Sequence, residues 1–169
     1  PYPDECPYCK TDTIITGVNL QCPNNQCRGR LTAKLLLFTQ TLEITGFGEK
    51  RLLKLVDKGY TTINSLFTMS LADFRKLFGT TVGKRLFSAL QRTLSKRIPK
   101  QDLIRALGIE TIGTSKSEAL VRAIPDLDIR RLNEIKRQEL LSIRGIGPSK
   151  AKAIKQSLRQ MWSQIEPVM

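Results

Sequence analysis

The apolar positions after residue 30 recur at intervals of three or four residues, as they do along one face of a helix. The first such stretch has apolar side chains at Leu31, Leu35, Leu36, Phe38 and Leu42 and predicts a connecting helix. Comparable stretches run from Leu71 to Phe78 and from Leu132 to Ile143. The pattern predicts a mostly helical chain.

Four segments also share one motif, in which an apolar residue precedes a glycine and a helical stretch follows. The closing glycines are separated by 35, 30 and 34 residues, which indicates one supersecondary unit used several times. Since each unit has an apolar-periodic stretch upstream, the sequence predicts four tandem helix-hairpin-helix motifs. The segments are ITGFGEKRLLKL (44–55), TTVGKRLFSAL (80–90), ETIGTSKSEAL (110–120) and IRGIGPSKAKAI (143–154), with closing glycines Gly48, Gly83, Gly113 and Gly147.

Each predicted hairpin combines an apolar centre with a backbone that can turn sharply. The apolar residue packs between the two helices, and a glycine takes the positive φ that the turn requires. A second glycine precedes the centre in the first and fourth hairpins, whereas Thr81 and Thr111 stand there in the other two. The hairpin residues are Gly46, Phe47 and Gly48; Val82 and Gly83; Ile112 and Gly113; and Gly145, Ile146 and Gly147.

A helix that starts on such a turn presents its first amides unpaired, where the helix dipole also favours negative charge. A lysine follows each closing glycine within a few residues, at Lys50, Lys84, Lys116 and Lys150. A cation at a helix start is unfavourable unless an anion binds there, so the pattern indicates a phosphate site. A single copy would fit an ordinary packing corner equally well, but four copies favour phosphate binding.

Four cysteines precede the repeats, in the spacing C-x2-C, twelve residues, C-x4-C. Four thiolates on tight turns complete the tetrahedral shell of a structural zinc ion, so Cys6, Cys9, Cys22 and Cys27 are predicted to bind Zn²⁺. Two short strands are expected between the pairs, on either side of Gly17. Two disulfides are the alternative, which a cytosolic location disfavours.

Lysine and arginine total 28 against 15 acidic residues, so the formal charge is +13, and a polyanion is the expected partner. Basic side chains concentrate in 84–105 and 130–159 with few aromatic residues among them, which favours duplex over single-stranded nucleic acid. The alternative is that the charge only keeps the protein soluble. No apolar run reaches the length of a membrane span, so a cytoplasmic protein without a membrane partner is expected.

Together, the motifs CPYC and CPNNQC, followed by ITGFGEKRLLKLVDKG, LIRALGIETIGTSKSEAL and LLSIRGIGPSKAKAI, resemble the zinc-finger and helix-hairpin-helix region of bacterial NAD-dependent DNA ligases. The resemblance implies a zinc finger at 1–30 and a DNA-binding domain at 31–169, with motif pairs at about 31–98 and 99–169. It also implies that the hairpins grip nicked duplex during replication or repair, in a bacterium or in a virus of bacteria. Adenylation and OB-fold parts would then lie elsewhere in the same chain or in a separate subunit.

NAD would act only through that adenylation part, which needs a lysine in a K-x-D-G context. The nearest approach here is Lys10-Thr11-Asp12-Thr13, which lacks the glycine and lies inside the cysteine-rich segment. We therefore expect this chain to contain no catalytic residue and to be inactive by itself. Two alternatives remain open: a DNA-binding module of a repair nuclease, helicase or topoisomerase, and a zinc-stabilised protein-interaction module.

Overall fold

The computed structural model describes residues 3–16 and 18–165; the expected turn residue Gly17 and the last four residues lie outside these ranges. The described chain is mostly helical, as the pattern predicted. A two-stranded ribbon comes first and nine helices follow it within the described residues. The elements are β1 Ile14–Thr16, β2 Asn19–Gln21, α1 Arg28–Thr41, α2 Glu49–Asp57, α3 Ile63–Thr68, α4 Leu71–Phe78, α5 Thr80–Ser95, α6 Lys100–Ala106, α7 Thr114–Ala123, α8 Arg137–Leu141 and α9 Pro148–Ile165, with a 3-10 helix at Ile129–Glu134.

The ribbon and the first helix are joined without a linker. Strands β1 and β2 are antiparallel, with Ile15 opposite Leu20. Cys27 is the N-cap of α1, and its carbonyl accepts the amide of Leu31 at 3.0 Å. The last residue of the cysteine cluster is therefore also the first residue of the helical region.

Two clusters of buried apolar side chains form the core of the helical region. The first gathers residues from Leu35 to Ala106, and the second gathers residues from Ile104 to Trp162. Ile63 and Leu103 pack against both clusters, so the two cores meet. The exact division into motif pairs at 31–98 and 99–169 stays a prediction.

The second predicted hairpin is wrong in its position. Thr81, Val82 and Gly83 lie inside α5, and the turn between α4 and α5 is the single residue Gly79, with φ of 82°. The tight turn is possible because the two helices approach closely at Gly83. A Cβ there would lie 2.6 Å from the carbonyl carbon and oxygen of Phe74, so this glycine serves helix packing.

Candidate metal centre and nucleic-acid interface

The four cysteines converge as the sequence predicted. All four Sγ atoms lie within 4.8 Å of one another, and the pairs Cys6–Cys27 and Cys9–Cys22 are 3.7 and 3.5 Å apart. A tetrahedral ion with Zn–S bonds of about 2.3 Å requires sulfur atoms roughly 3.8 Å apart. The cluster therefore fits a metal ion bound by four thiolates. With four sulfur ligands, a tetrahedral ion has no position left for water.

Neighbouring groups favour a thiolate at one of these ligands. The side-chain hydroxyl of Thr11 lies 3.3 Å from Cys9 Sγ, and hydrogen bonds from its side chain and its backbone lower the pKa of Cys9 to about 6. Cys6 and Cys27 are buried, which shields this side of the cluster from solvent. Arg30 donates to the carbonyl of Cys22 at 2.9 Å and so ties the second cysteine pair to α1.

The cysteine-rich segment also contacts the first hairpin directly. The ring of Tyr8 lies so close to Gly29 that a Cβ on that glycine would be 2.4 Å from Tyr8 Cδ2. The Tyr8 hydroxyl donates to Glu49 Oε1 at 2.9 Å, and this hydrogen bond is the main cause of a raised pKa at Tyr8. Because Glu49 is the first residue of α2, the metal centre is coupled to the start of that helix.

The first, third and fourth hairpins share one backbone feature. Each has a residue of positive φ: 94° at Gly46, 66° at Thr111 and 87° at Gly145. Thr111 therefore takes the same left-handed conformation as the glycines, although a β-branched residue adopts it only at a cost. The apolar centres that follow, Phe47, Ile112 and Ile146, are all buried.

A basic side chain forms a hydrogen bond back to each of these three turns. Five residues after the residue of positive φ, it donates to that residue's carbonyl. The pairs are Arg51 to Gly46 at 2.7 Å, Lys116 to Thr111 at 3.0 Å and Lys150 to Gly145 at 3.0 Å. In the first hairpin this position belongs to Arg51 and not to Lys50, which sequence spacing had selected.

The closing glycines of these hairpins face open space. A Cβ added to Gly48, Gly113 or Gly147 would meet no other atom within 4 Å, and none of the three has positive φ. Neither packing nor backbone conformation requires glycine there. Helices α2 and α7 start without a side-chain cap on their amides, so their bare ends can approach an anionic backbone closely.

The second unit presents its residues differently. Val82 is half-buried and Gly83 is buried against α4, so neither lies in a turn. Lys84 is exposed on α5, and it is the fifth residue of that helix rather than a member of its first turn. The structure thus brings three of the four predicted hairpins into one geometry and leaves the second outside it.

A family model described as a helix-hairpin-helix motif matches residues 102–165. The chain is 31% identical over 158 residues to a DNA ligase from Methylacidiphilum infernorum, with 90% of this chain and 22% of that protein covered. It is 30% identical over 171 residues to the DNA ligase of Chlorobaculum tepidum, covering 96% of this chain and 25% of that protein. The DNA ligase of Clostridium novyi is 30% identical over 158 residues, covering 90% and 23%.

These comparisons confirm the resemblance to bacterial DNA ligases over nearly the whole chain. The chain spans about a quarter of the length of the ligases it matches. Among the described residues, no helix is both long and apolar enough to cross a membrane.

Proposed function

We propose that this chain, similar to bacterial DNA ligases over about nine-tenths of its length, is the DNA-binding portion of an NAD-dependent ligase. It would grip nicked duplex through phosphate contacts in the cytoplasm, during replication or repair. An adenylation domain, in the same chain or in a separate subunit, would supply the lysine that reacts with NAD. The single observation that supports this most is the shared geometry of the three hairpins.

Each hairpin combines the features that recognise a phosphate without reading a base. The glycine removes the side chain that would keep a sugar-phosphate backbone away from the helix amides. The basic residue is held at the turn by its hydrogen bond to the turn carbonyl, so less of its conformational freedom is lost when it binds. Such contacts fix the position of a duplex and carry no direct sequence information.

The contribution of this chain to nick sealing would be positional. Holding the two ends of a nick in the geometry of reaction lowers a barrier without any acid, base or nucleophile in the same chain. The residues proposed for this role are those of the hairpins: Gly46, Phe47, Gly48, Lys50 and Arg51; Ile112, Gly113 and Lys116; and Gly145, Ile146, Gly147 and Lys150, with Lys84 on α5.

The metal ion would stabilise the cysteine-rich segment, which is too small to bury a core of its own. We propose zinc, because four thiolates are the donor set of closed structural zinc sites. Metal analysis of the purified chain is expected to return one zinc per molecule. Two disulfides in protein purified under reducing conditions would contradict this assignment.

The fourth hairpin offers the sharpest test of DNA binding. The double variant Lys150→Ala, Gly147→Val removes the cation and covers the bare turn. Since a charge-assisted hydrogen bond contributes about 1.5–3 kcal/mol, affinity for nicked duplex should fall roughly ten-fold or more. Fluorescence anisotropy with a labelled nicked duplex measures this, and zinc content and helical circular dichroism should stay unchanged.

Lys58→Ala provides the control. Lys58 is the C-cap of α2, at the opposite end of that helix from its hairpin, and its loss removes one positive charge without touching a predicted contact. If both variants weaken binding equally, general charge rather than the hairpin explains the affinity. If the unmodified chain does not bind duplex at low salt, the proposed function fails.

A further inference from the structure

A basic cleft lies between the first hairpin and helix α5. Its volume is about 530 Å³, with Thr45, Gly46 and Arg51 on one side and the first three turns of α5 on the other. The two sides are in close contact, because a Cβ on Gly46 would lie 2.8 Å from Leu86 Cδ2. The shape of the cleft is therefore fixed by packing between the hairpin and the helix.

Four cations line this cleft, and no carboxylate does. They are Arg51, Lys84, Arg85 and Arg92. In the part of the chain that the structure describes, none of them forms an ion pair with an acidic side chain. By contrast, Arg130 and Arg131 on the second half of the molecule are paired with Asp128 and Glu134. The cleft therefore carries four positive charges that no acidic side chain lining it compensates.

The polar groups on α5 follow one face of the helix. Thr81, Arg85, Ser88 and Arg92 are spaced by four, three and four residues, and all four line the cleft. At 1.5 Å per residue, Arg85 and Arg92 are separated by about 10 Å along the axis. A single phosphate cannot contact both guanidinium groups at that separation unless the side chains converge.

One strand of a duplex presents a phosphate about every 3.4 Å along the helix axis. A row of about 10 Å is therefore long enough to contact more than one phosphate of the same strand. We propose that this cleft binds the sugar-phosphate backbone of one strand of the duplex through the arginines of α5, in addition to the contact made by the first hairpin turn. The inference rests on the proposed function, because it names a second part of the same DNA-binding surface.

This contact gives the second repeat a role that its sequence motif did not predict. Gly83 packs against α4, so α5 starts after a one-residue turn and presents its side to the first hairpin. The second unit would then bind phosphates with arginines along a helix face. The other units would bind them at the start of a helix.

The test removes the two arginines of α5 that line the cleft, because neither belongs to a hairpin turn. In Arg85→Ala, Arg92→Ala, duplex affinity should fall, and so should the slope of log K against log salt concentration. Since each lost phosphate contact reduces that slope by about 0.9, the expected change is about 1.8. Anisotropy titrations with an intact duplex at several salt concentrations give both quantities.

The matched control is Lys58→Ala, Lys76→Ala, which removes the same charge at the C-cap of α2 and on α4, from two exposed side chains that do not line the cleft. Its slope should change by much less. The charge-conserving variant Arg85→Lys, Arg92→Lys should retain most of the slope, which excludes misfolding as the cause of the loss. An equal fall in the control and the cleft variant would overturn the proposal.

Two further outcomes separate the cleft from the rest of the surface. If Lys150→Ala, Gly147→Val weakens duplex binding and the cleft variant does not, the cleft assignment fails and the proposed function stands. If inorganic pyrophosphate raises the melting temperature of the unmodified chain but not of the cleft variant, and duplex affinity is the same for both, the cleft is a site for a small anion. That result would also overturn the proposal.

Discussion

Two kinds of helix start in this protein can be compared directly. Helices α3 and α4 start on capping boxes, in which Thr62 exchanges hydrogen bonds with Ser65, and Ser70 with Asp73. Helices α2 and α7 start on glycines and have no side-chain cap. Capping satisfies amides that would otherwise be unpaired and stabilises a helix by about 1 kcal/mol. The helices behind hairpins lack that stabilisation.

At these four helices, the two capped starts differ from two uncapped starts whose glycines face open space. A capped start cannot accept a phosphate on the amides that its own side chain occupies, whereas a bare one can. Helix α5 belongs to neither group, because it starts on Gly79 without a side-chain cap and yet the glycine of its sequence motif, Gly83, is buried against α4. Glycines in one repeated sequence pattern therefore perform two physical tasks.

The largest effect is expected where a glycine serves packing. In an exposed helix, replacing a glycine by alanine stabilises the fold by about 1 kcal/mol, because alanine has the higher helix propensity. In Gly83→Ala, the new Cβ would lie 2.6 Å from the Phe74 carbonyl group. We expect the opposite sign, a loss of about 3 kcal/mol in the free energy of unfolding, because α4 and α5 must separate.

Urea unfolding followed by circular dichroism measures this loss. Gly48→Ala is the control, because a Cβ there meets nothing within 4 Å. If the Gly83→Ala variant is as stable as the unmodified chain, the close contact between α4 and α5 at Gly83 does not contribute to stability.

A smaller loss of stability is expected at a capped start. Ser70→Ala should lower the free energy of unfolding by about 1 kcal/mol and leave duplex affinity unchanged. The hydrogen bonds from Ser70 lower the pKa of Asp73 below its usual 3.8. The stabilisation by Asp73 is therefore complete at pH values above its unfolded pKa and is lost as the pH falls through its lower folded pKa.

Thermal unfolding between pH 2 and pH 7 measures the loss of stability and its pH dependence, and anisotropy measures the duplex affinity. The pH range brackets the ordinary carboxyl pKa of about 3.9. The gap between Ser70→Ala and the unmodified chain should narrow towards the acid end. If the difference in stability between the two proteins does not change with pH, the hydrogen bonds accepted by Asp73 in the capping box do not stabilise the fold.

The smallest change in stability is expected when a bare start is given a cap. Gly48 has φ of −78° and ψ of 165°, the extended conformation of an ordinary N-cap, so Gly48→Ser fits without strain. The serine oxygen should accept an amide of α2 and stabilise the fold by a few tenths of a kcal/mol. Duplex affinity should fall at the same time, because that amide is no longer available.

A higher melting temperature together with a lower duplex affinity would show that the uncapped amide of α2 contributes to binding at the expense of stability. A variant that binds duplex as tightly as the unmodified chain would remove the first hairpin from the DNA-binding surface. Gly59→Ser, at a turn after α2 where φ is 93°, is expected to lose stability without this effect on binding.

The sequence predicted the parts of the fold that depend on local spacing. The cysteine spacing predicted a cluster that the structure confirms, and the apolar periodicity predicted a mostly helical chain. The sequence could not locate the second turn, because an apolar residue followed by a glycine occurs both within a helix, at Val82-Gly83, and in a hairpin, at Phe47-Gly48. Only the contact of Gly83 with Phe74 in the preceding helix distinguishes them.

Two details of the candidate site also depended on three-dimensional register. Lys50 and Arg51 both follow Gly48 within one helical turn, and only the hydrogen bond to Gly46 selects Arg51 as the counterpart of Lys116 and Lys150. Counting five residues from the turn residue, instead of from the closing glycine, would have found it. The cleft against α5 joins residues about 40 positions apart, so no local pattern could predict it.

Cys27 links the cysteine cluster of this protein to its helix content. The same residue offers its thiol to the cysteine cluster and its carbonyl to the first turn of α1. Chelation would therefore release the start of a 14-residue helix along with the ribbon. Through Tyr8 and Glu49, the loss would extend to the first hairpin. If the cluster binds zinc as proposed, a cell short of zinc would hold this chain with both its cysteine-rich segment and one hairpin of the proposed DNA-binding surface loosened.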